Sequence, residues 1–289
     1  MDYKGQDASD LIYEYLAKDE PCMIARFGGI EMSCVMNFHF LRKKNLINLV
    51  RFALGEDIYF KYEEKIVNDM CFSGFFPLTE EFLYKFYELM LECIPNLDIL
   101  GSFHQHYESC FRNYMPNAKI IDLFDIEPYY YSNPWSRILK GKTVLVIHPF
   151  AESIRSQYNN REKLFIDQNV LPEFKLKTIK AVQSIANTNC GFKTWFDAFE
   201  SMKLQIQKTE FDIAIIGCGA YGFPLASFVK DLGKKAVHLA GATQILFGIK
   251  GARWDDREVG KKLYNEYWVR PSIEETPQNS KNVENGCYW

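Results

Sequence analysis

The chain has 289 residues, and 47% of them are hydrophobic, which is enough apolar material for a large buried core. A net charge of −3 without any basic block argues against a nucleic-acid partner, and no run approaches the roughly 18 apolar residues of a membrane-spanning helix. The eight cysteines form no CxxC pair and no signal segment is visible, so we expect free thiols in a reducing, cytoplasmic compartment.

The first 140 residues alternate between helical apolar spacing and short buried runs. Thr79 is a credible N-cap, since two glutamates follow it in the first turn of the predicted helix. His104 and His106 form an H-x-H pair that a metal could use, although surface or structural histidines are the more common outcome of such a pair. The predicted elements are helices over 10–18, 31–44, 58–71 and 79–94, and strands over 23–27, 97–100 and 118–123.

The second half has a clearer pattern of buried strands and amphipathic helices. The predicted strands cover 143–147, 176–182, 211–216 and 236–239, and the predicted helices cover 195–206 and 223–232. This strand–helix–strand spacing predicts an α/β fold with a mostly parallel central sheet flanked by helices. We expect a single domain whose halves, about 1–140 and 141–289, join near Gly141, and a final segment that packs back on the body. Ligands should bind where the carboxyl ends of the parallel strands meet.

A glycine-rich turn, Gly217-Cys218-Gly219-Ala220-Tyr221-Gly222, matches G-x-G-x-x-G between a predicted strand and a predicted helix. Such a turn lets backbone N–H groups approach a phosphate at a helix N-terminus. The dinucleotide-binding version also needs an acidic residue about 20 positions on, and none stands there. An NAD(P)-dependent oxidoreductase therefore has only this motif in its favour, and a tight turn without any ligand is a further interpretation.

Charged residues also surround the first predicted strand–helix turn. Arg26 is a candidate anion clamp, Gly28 lies in the turn, and Glu31 is a candidate metal ligand or catalytic base. A buried Arg26–Glu31 pair that only holds the turn is an equally good explanation of the same residues.

Two further segments carry candidate site residues. His148 and Glu152 follow the strand over 143–147, where they could transfer protons, or Glu152 could simply favour a helix start. Lys250 follows a predicted helix and could bind phosphate, although cations are also ordinary at helix ends.

Taken together, these segments resemble the GT-D-type glycosyltransferases, enzymes of bacterial glycan clusters. The matching segments are ARFGGIE (25–31), HPFAESIRSQY (148–158), the run from DIAIIGCGAYG to KGARW (212–254) and ENGCYW (284–289). The resemblance implies a single Rossmann-like fold, a nucleoside-diphosphate-sugar donor and a divalent metal, Mn²⁺ or Mg²⁺. It also implies a glycan or glycoconjugate acceptor in surface-polysaccharide or glycoprotein synthesis, and a homo-oligomer is compatible with it.

The family motif near the N-terminus generally reads R-[FY]-G-D-G-E. Arg26, Phe27, Gly28 and Glu31 match it, whereas Gly29 stands where the family has Asp, so one of two metal-binding carboxylates is missing. Glu152 or Asp125 would then have to complete the site, or the chemistry differs. A non-catalytic sugar-nucleotide-binding protein is therefore kept as an alternative. The expected catalytic residues are Glu31, His148 and Glu152, and the expected phosphate-binding residues are Arg26, Gly28, Gly217, Gly219, Tyr221, Gly222 and Lys250.

Overall fold

The computed structural model of the chain describes residues 1–42, 62–103 and 105–289. In these residues, seven strands form one sheet in the order β3-β2-β1-β7-β6-β4-β5, and every neighbouring pair is parallel. The α/β class and the parallel sheet expected from the sequence are therefore confirmed. The strands are β1 Cys22–Ala25, β2 Ile99–Ser102, β3 Lys119–Asp122, β4 Thr143–His148, β5 Lys175–Lys180, β6 Ile213–Ile216 and β7 Lys235–His238.

The two halves of the chain share this sheet. Strands β1 to β3 come from the first 140 residues and β4 to β7 from the rest. Pairing between β1 and β7 joins them, with Cys22 opposite Lys235 and Ile24 opposite Val237. As a result, the turns that follow β1, β6 and β7 lie side by side at one edge of the sheet.

Alternation along the strands creates two hydrophobic cores, one on each face of the sheet. In β4, Leu145 and Ile147 belong to one core, while Val144 and Val146 belong to the other. Both faces are covered, which explains why β4 has an uninterrupted apolar sequence.

Helices cover both faces, and several have the predicted boundaries. Thr79 caps α4 by accepting a hydrogen bond from the Phe82 amide at 3.4 Å, and Thr194 with Asp197 forms a capping box on α7. The predicted helix over 58–71, the end of that over 31–44 and the His104–His106 pair lie partly or wholly outside the described residues. The described α-helices are α1 Gln6–Ala17, α2 Gly29–Arg42, α3 Glu64–Asp69, α4 Glu80–Cys93, α5 Gln105–Ser109, α6 Ala151–Tyr158, α7 Trp195–Gln207, α8 Gly222–Asp231, α9 Ala242–Leu246, α10 Ala252–Asp255 and α11 Glu258–Leu263.

None of these helices, across the described ranges, is both long and apolar enough to cross a membrane.

The segment from residue 271 onward packs back on the body, as expected from its closing aromatic residues. Trp289 donates its indole N–H to the Glu275 carbonyl at 3.1 Å, and Gln244 donates to the Tyr288 carbonyl at 3.1 Å. The Glu275 carboxylate accepts the backbone amides of Glu152 at 2.8 Å and Ser153 at 3.2 Å. It thereby caps the N-terminus of α6, where a negative charge is favourable.

The glycine turn between β6 and α8 is shaped by contacts with other parts of the chain. A Cβ at Gly219 would lie 2.5 Å from the Ser73 carbonyl oxygen, and the φ of Gly219 is +56°. A Cβ at Gly217 would lie 2.5 Å from the Thr243 hydroxyl, and one at Gly222 would collide with the His238 ring. All three glycines are therefore required by close packing within the protein.

We expect Gly219→Ala to destabilise the protein more than Gly233→Ala. Both glycines have positive φ, +56° and +75°, but a Cβ at Gly233 meets nothing within 4 Å. Gly233→Ala should therefore cost only the left-handed backbone penalty, about 1 kcal/mol. Gly219→Ala should cost about 1–3 kcal/mol more, because the Ser73 carbonyl must also move. Urea unfolding of both variants measures the difference, and equal losses would show that the contact with Ser73 is not restrictive.

Candidate functional site

A cavity of about 690 Å³ opens at the carboxyl edge of the sheet. Its volume lies within the range usual for small-molecule sites, and its position is where open parallel sheets bind ligands. All seven strand ends contribute to it. One lining residue at or after each strand, from β1 to β7 in order, is Arg26, Phe103, Leu123, His148, Val182, Gly217 and Ala240.

Most of the predicted site residues line this cavity, and three do not. Glu152 is solvent-exposed and forms an ion pair with Arg155. Lys250 lies over the Tyr264 ring at 5.6 Å, and Gly222 is packed against His238. The predicted residues that the structure brings together around the cavity are Arg26, Gly28, Glu31, His148, Gly217, Gly219 and Tyr221.

Tyr221 contributes to the wall mainly as a core residue. Its ring stacks on Trp195 with centroids 4.7 Å apart and planes 5° apart. Its hydroxyl lies 3.2 Å from the Ser184 hydroxyl, and only 1% of the residue is exposed. The side chain therefore supports the turn from below.

Arg26 is a cation at the cavity that has no direct ion pair with the residues that the structure describes. Its Nε donates to the Phe27 carbonyl at 3.4 Å, and among the residues described no carboxylate lies within 4.0 Å of its guanidinium. A direct Arg26–Glu31 bridge is thus not what holds the turn. Burial lowers the pKa of Arg26, against the more distant influence of Tyr288, Glu127 and Glu31. A partly buried cation in this state is stabilised by an anionic ligand.

Glu31 folds back across the same turn. A Cβ at Gly28 would collide with the Glu31 carboxylate, the end of a flexible side chain, so a larger residue at position 28 would displace that carboxylate. Burial raises the pKa of Glu31, while a hydrogen bond from Ser73 and the charge of Arg26 oppose that rise. The carboxylate is therefore held in place between Gly28 and Ser73.

Glu127 is a cavity carboxyl that the sequence analysis did not single out. It is 7% exposed, and burial raises its pKa to about 7. The Tyr129 and Tyr130 hydroxyls donate to it, and the charges of Arg26 and Arg257 act in the opposite direction to burial. A carboxyl that titrates near neutral pH is suited to general base catalysis. The sequence offered one signal for Glu127, which is its position shortly after β3.

The structure assigns His148 the role of a neutral hydrogen-bond donor. Burial lowers its pKa to about 3, so the ring is uncharged at neutral pH. Its Nδ1 accepts the Phe150 backbone N–H at 3.0 Å, which leaves the proton on Nε2. Within the described residues Nε2 has no protein partner, so its N–H is available to a ligand in the cavity.

His238 contacts the backbone of the turn that contains Arg26. Burial lowers its pKa to about 3, and its Nδ1 lies 3.1 Å from the Arg26 carbonyl oxygen. A carbonyl oxygen can only accept, so Nδ1 carries the proton of the neutral ring and donates to that carbonyl, which fixes the backbone beside Arg26. The sequence analysis predicted neither a role for His238 nor this contact.

The final segment of the chain closes one side of the cavity. Arg253 donates to Glu284 at 2.6 Å and to the Tyr288 hydroxyl at 3.2 Å. Glu284 and Asn285 have positive φ values of 43° and 56°, and Ala240 on the cavity wall has 50°. Strained backbone of this kind persists only where its surroundings over-determine it, and such positions cluster at functional sites.

The potential metal donors around the cavity do not cluster in the part of the chain that the structure describes. Within residues 1–42, 62–103 and 105–289, no three His, Cys, Asp or Glu side chains come together to hold an ion. Asp125 does not complete a site with Glu31, since it accepts from the Gly5 amide and the Tyr131 hydroxyl instead. The donors do not fit a metal cage built by the protein alone. They fit the mode in which Mg²⁺ binds one carboxylate and is otherwise held by water and substrate phosphates.

Comparisons of the chain with models of protein families, with curated proteins and with solved structures find no match. The chemistry of the cavity is therefore the basis on which function is inferred.

Proposed function

We propose that this protein is a glycosyltransferase that takes a sugar from a nucleoside-diphosphate donor and passes it to a glycan or glycoconjugate. The observation that carries the proposal is Arg26, a partly buried cation at the junction of β1, β6 and β7 that has no ion pair with any residue in the described part of the chain. The motif R-F-G-G-I-E, which resembles that of GT-D-type enzymes, supplies this residue.

The diphosphate is proposed to lie between Arg26 and the turn at Gly217–Gly219. Arg26 supplies the positive charge, and the backbone of the turn faces the same cavity. The Gly217 N–H already donates to the Ile147 carbonyl at 3.0 Å, so the amides proposed to meet phosphate oxygens are those of Cys218 and Gly219 at this strand–helix turn. His148 adds a neutral Nε2–H donor on the β4 side. A nucleoside-diphosphate sugar has both negative charge and hydroxyl groups, so it matches a site that offers a cation, backbone amides and a neutral N–H.

Glu127 is the proposed general base. The acceptor hydroxyl oxygen attacks the anomeric carbon of the donor, and its proton passes to the Glu127 carboxylate. The bond between the anomeric carbon and the diphosphate oxygen breaks, and the nucleoside diphosphate leaves with the bonding electrons. Arg26 stabilises the negative charge that develops on this leaving group, which is an effective form of catalysis in a water-poor site.

The proposal includes a divalent metal that has one protein ligand. When bound, Mg²⁺ or Mn²⁺ would neutralise charge on the diphosphate, with Glu31 as its protein ligand. Glu31 also positions the turn through Gly28 and Ser73, so its removal affects both functions.

We also propose a cytoplasmic location. All eight cysteines, each within the described ranges, are free thiols, and six of them are buried. Free thiols persist in reducing compartments.

Removal of the Arg26 charge should weaken the binding of a nucleoside diphosphate. We expect Arg26→Gln to weaken UDP or GDP binding by about 10²-fold or more, because a partly desolvated charge contact is lost. Isothermal titration with both nucleotides measures this, after circular dichroism confirms folding. Arg161→Gln is the control, since Arg161 pairs with Glu162 and Glu173 away from the cavity. Wild-type protein that binds NAD(H) or NADP(H) but neither diphosphate would instead favour the oxidoreductase.

The pH dependence of turnover should report Glu127. Because its pKa is raised to about 7, the carboxyl is protonated below that pH and acts as a base above it. Release of UDP or GDP from hexose conjugates should rise with pH and level off above about 7. Glu127→Gln should lower the rate by about 10²–10⁴-fold and remove this dependence.

The exposed Glu162→Gln provides the control for that pH profile. A Glu127→Gln variant with the wild-type rate and profile would refute the base assignment. Wild-type protein that binds a sugar nucleotide without ever turning it over would point to the non-catalytic alternative.

Metal removal tests the role of Glu31. We expect EDTA to lower UDP or GDP affinity in wild type, Mn²⁺ or Mg²⁺ to restore it, and Glu31→Gln to abolish that response. Gly29→Asp, which restores the family carboxylate, should strengthen the metal response. Full wild-type binding and turnover in EDTA would contradict the metal assignment and leave Glu31 as a residue that positions the turn.

A further inference from the structure

Three aromatic side chains stand exposed on one wall of the cavity. Phe103 follows β2, whereas Phe124 and Tyr130 follow β3, and all three line the cavity. Their exposed fractions are 53%, 47% and 44%. Large apolar surface grouped in this way marks a binding site more often than isolated exposed residues do.

Local backbone geometry forces Phe124 outward. It lies in a 3-10 turn, Leu123–Ile126, whose other apolar residues Leu123 and Ile126 are buried. Residues three apart face the same side of a 3-10 turn, so Phe124 must point to the other side. Asp122 caps the turn by accepting the Phe124 amide at 3.0 Å, which holds this arrangement.

Glu127 belongs to the same segment and lies between Phe124 and Tyr130 in the sequence. Tyr130 donates to the Glu127 carboxylate, and the buried Tyr129 packs edge-on against Tyr130 with centroids 5.0 Å apart. One wall therefore combines exposed aromatic faces with a carboxyl group. Arg257 and Glu258, on or beside α11, also line the cavity and offer polar partners.

The opposite wall has a different chemistry. It is formed by residues 148–150 and 182–185, which include no carboxylate. Deprotonation of a hydroxyl requires a base within hydrogen-bond reach, and on this edge of the sheet Glu127 meets that need. An acceptor sugar therefore belongs on the aromatic wall, with the nucleobase on the other side of the diphosphate.

We propose that Phe124 and Tyr130, with Phe103, form the acceptor subsite and stack on a pyranose ring so that one hydroxyl faces Glu127. This inference rests on the proposed function, because Glu127 acts there as the base. The apolar face of a sugar ring covers the exposed aromatic surface, and its hydroxyls reach Glu127, Arg257 and Glu258. Phe124 is a specificity-determining residue in this arrangement.

Saturation-transfer NMR tests the subsite directly. The probes are the methyl β-glycosides of D-glucose, D-galactose and N-acetyl-D-glucosamine, added to protein loaded with UDP or GDP. We expect at least one glycoside to bind wild type, and Phe124→Ala to weaken it by about tenfold. Phe124→Tyr should bind the glycoside as wild type does, because tyrosine keeps the aromatic ring. Tyr267→Ala, which removes an exposed ring outside the cavity, should leave binding unchanged.

Nucleotide titration of the same samples separates this inference from the proposed function. Glycoside binding that depends on Phe124, with no binding of UDP or GDP, would support the subsite and refute the donor. Loss of nucleotide affinity in Phe124→Ala with unchanged glycoside affinity would overturn the subsite, since the ring would then hold the base. Absence of binding by all three glycosides to wild type would overturn it as well.

Discussion

Parallel pairing between β1 and β7 is the constraint on which the candidate site depends. It joins strands from the two halves of the chain and brings the Arg26 turn beside the turns that follow β6 and β7. The His238 ring then contacts both the Arg26 carbonyl and Gly222, so a single buried histidine links the two turns. A shift of one residue in this register would move His238 and Arg26 to opposite faces. The observed register keeps Arg26 and His238 together at the cavity.

The glycine turn shows how a motif can be correctly located and yet owe its residues to a different cause. Its position after β6 agrees with a phosphate-binding turn, and it does line the cavity. Its glycines, however, are required by Ser73, Thr243 and His238 rather than by the approach of a ligand. Gly28 differs, because a Cβ there would meet the Glu31 carboxylate, which is the end of a flexible side chain. Among the residues of these two turns, Arg26 alone carries a positive charge that an anionic ligand could contact.

Strong periodicity made much of the fold predictable. The uninterrupted apolar run of β4 predicts a strand buried on both faces, and the 3.6-residue spacing of apolar residues predicts the buried face of α7. Site chemistry was less accessible, because it depends on distances between segments remote in sequence. Burial raises the pKa of Glu127 and lowers that of His148, and the Phe150 amide fixes which ring nitrogen of His148 carries the proton. Glu152, which the sequence placed beside His148 as a candidate base, is exposed to solvent.

The final segment of the chain has a thermodynamic consequence that follows from its two attachments. Glu275 caps α6, and residues from Asn282 to Trp289 form one side of the cavity. A molecule bound in the cavity therefore contacts a segment whose docking also completes a helix cap. Binding energy raises the free energy needed to detach that segment, by the same linkage through which any ligand stabilises the state it prefers. Hydrogen exchange at the amides of Glu152 and Ser153, which lie outside the cavity lining, would thus report how full the cavity is.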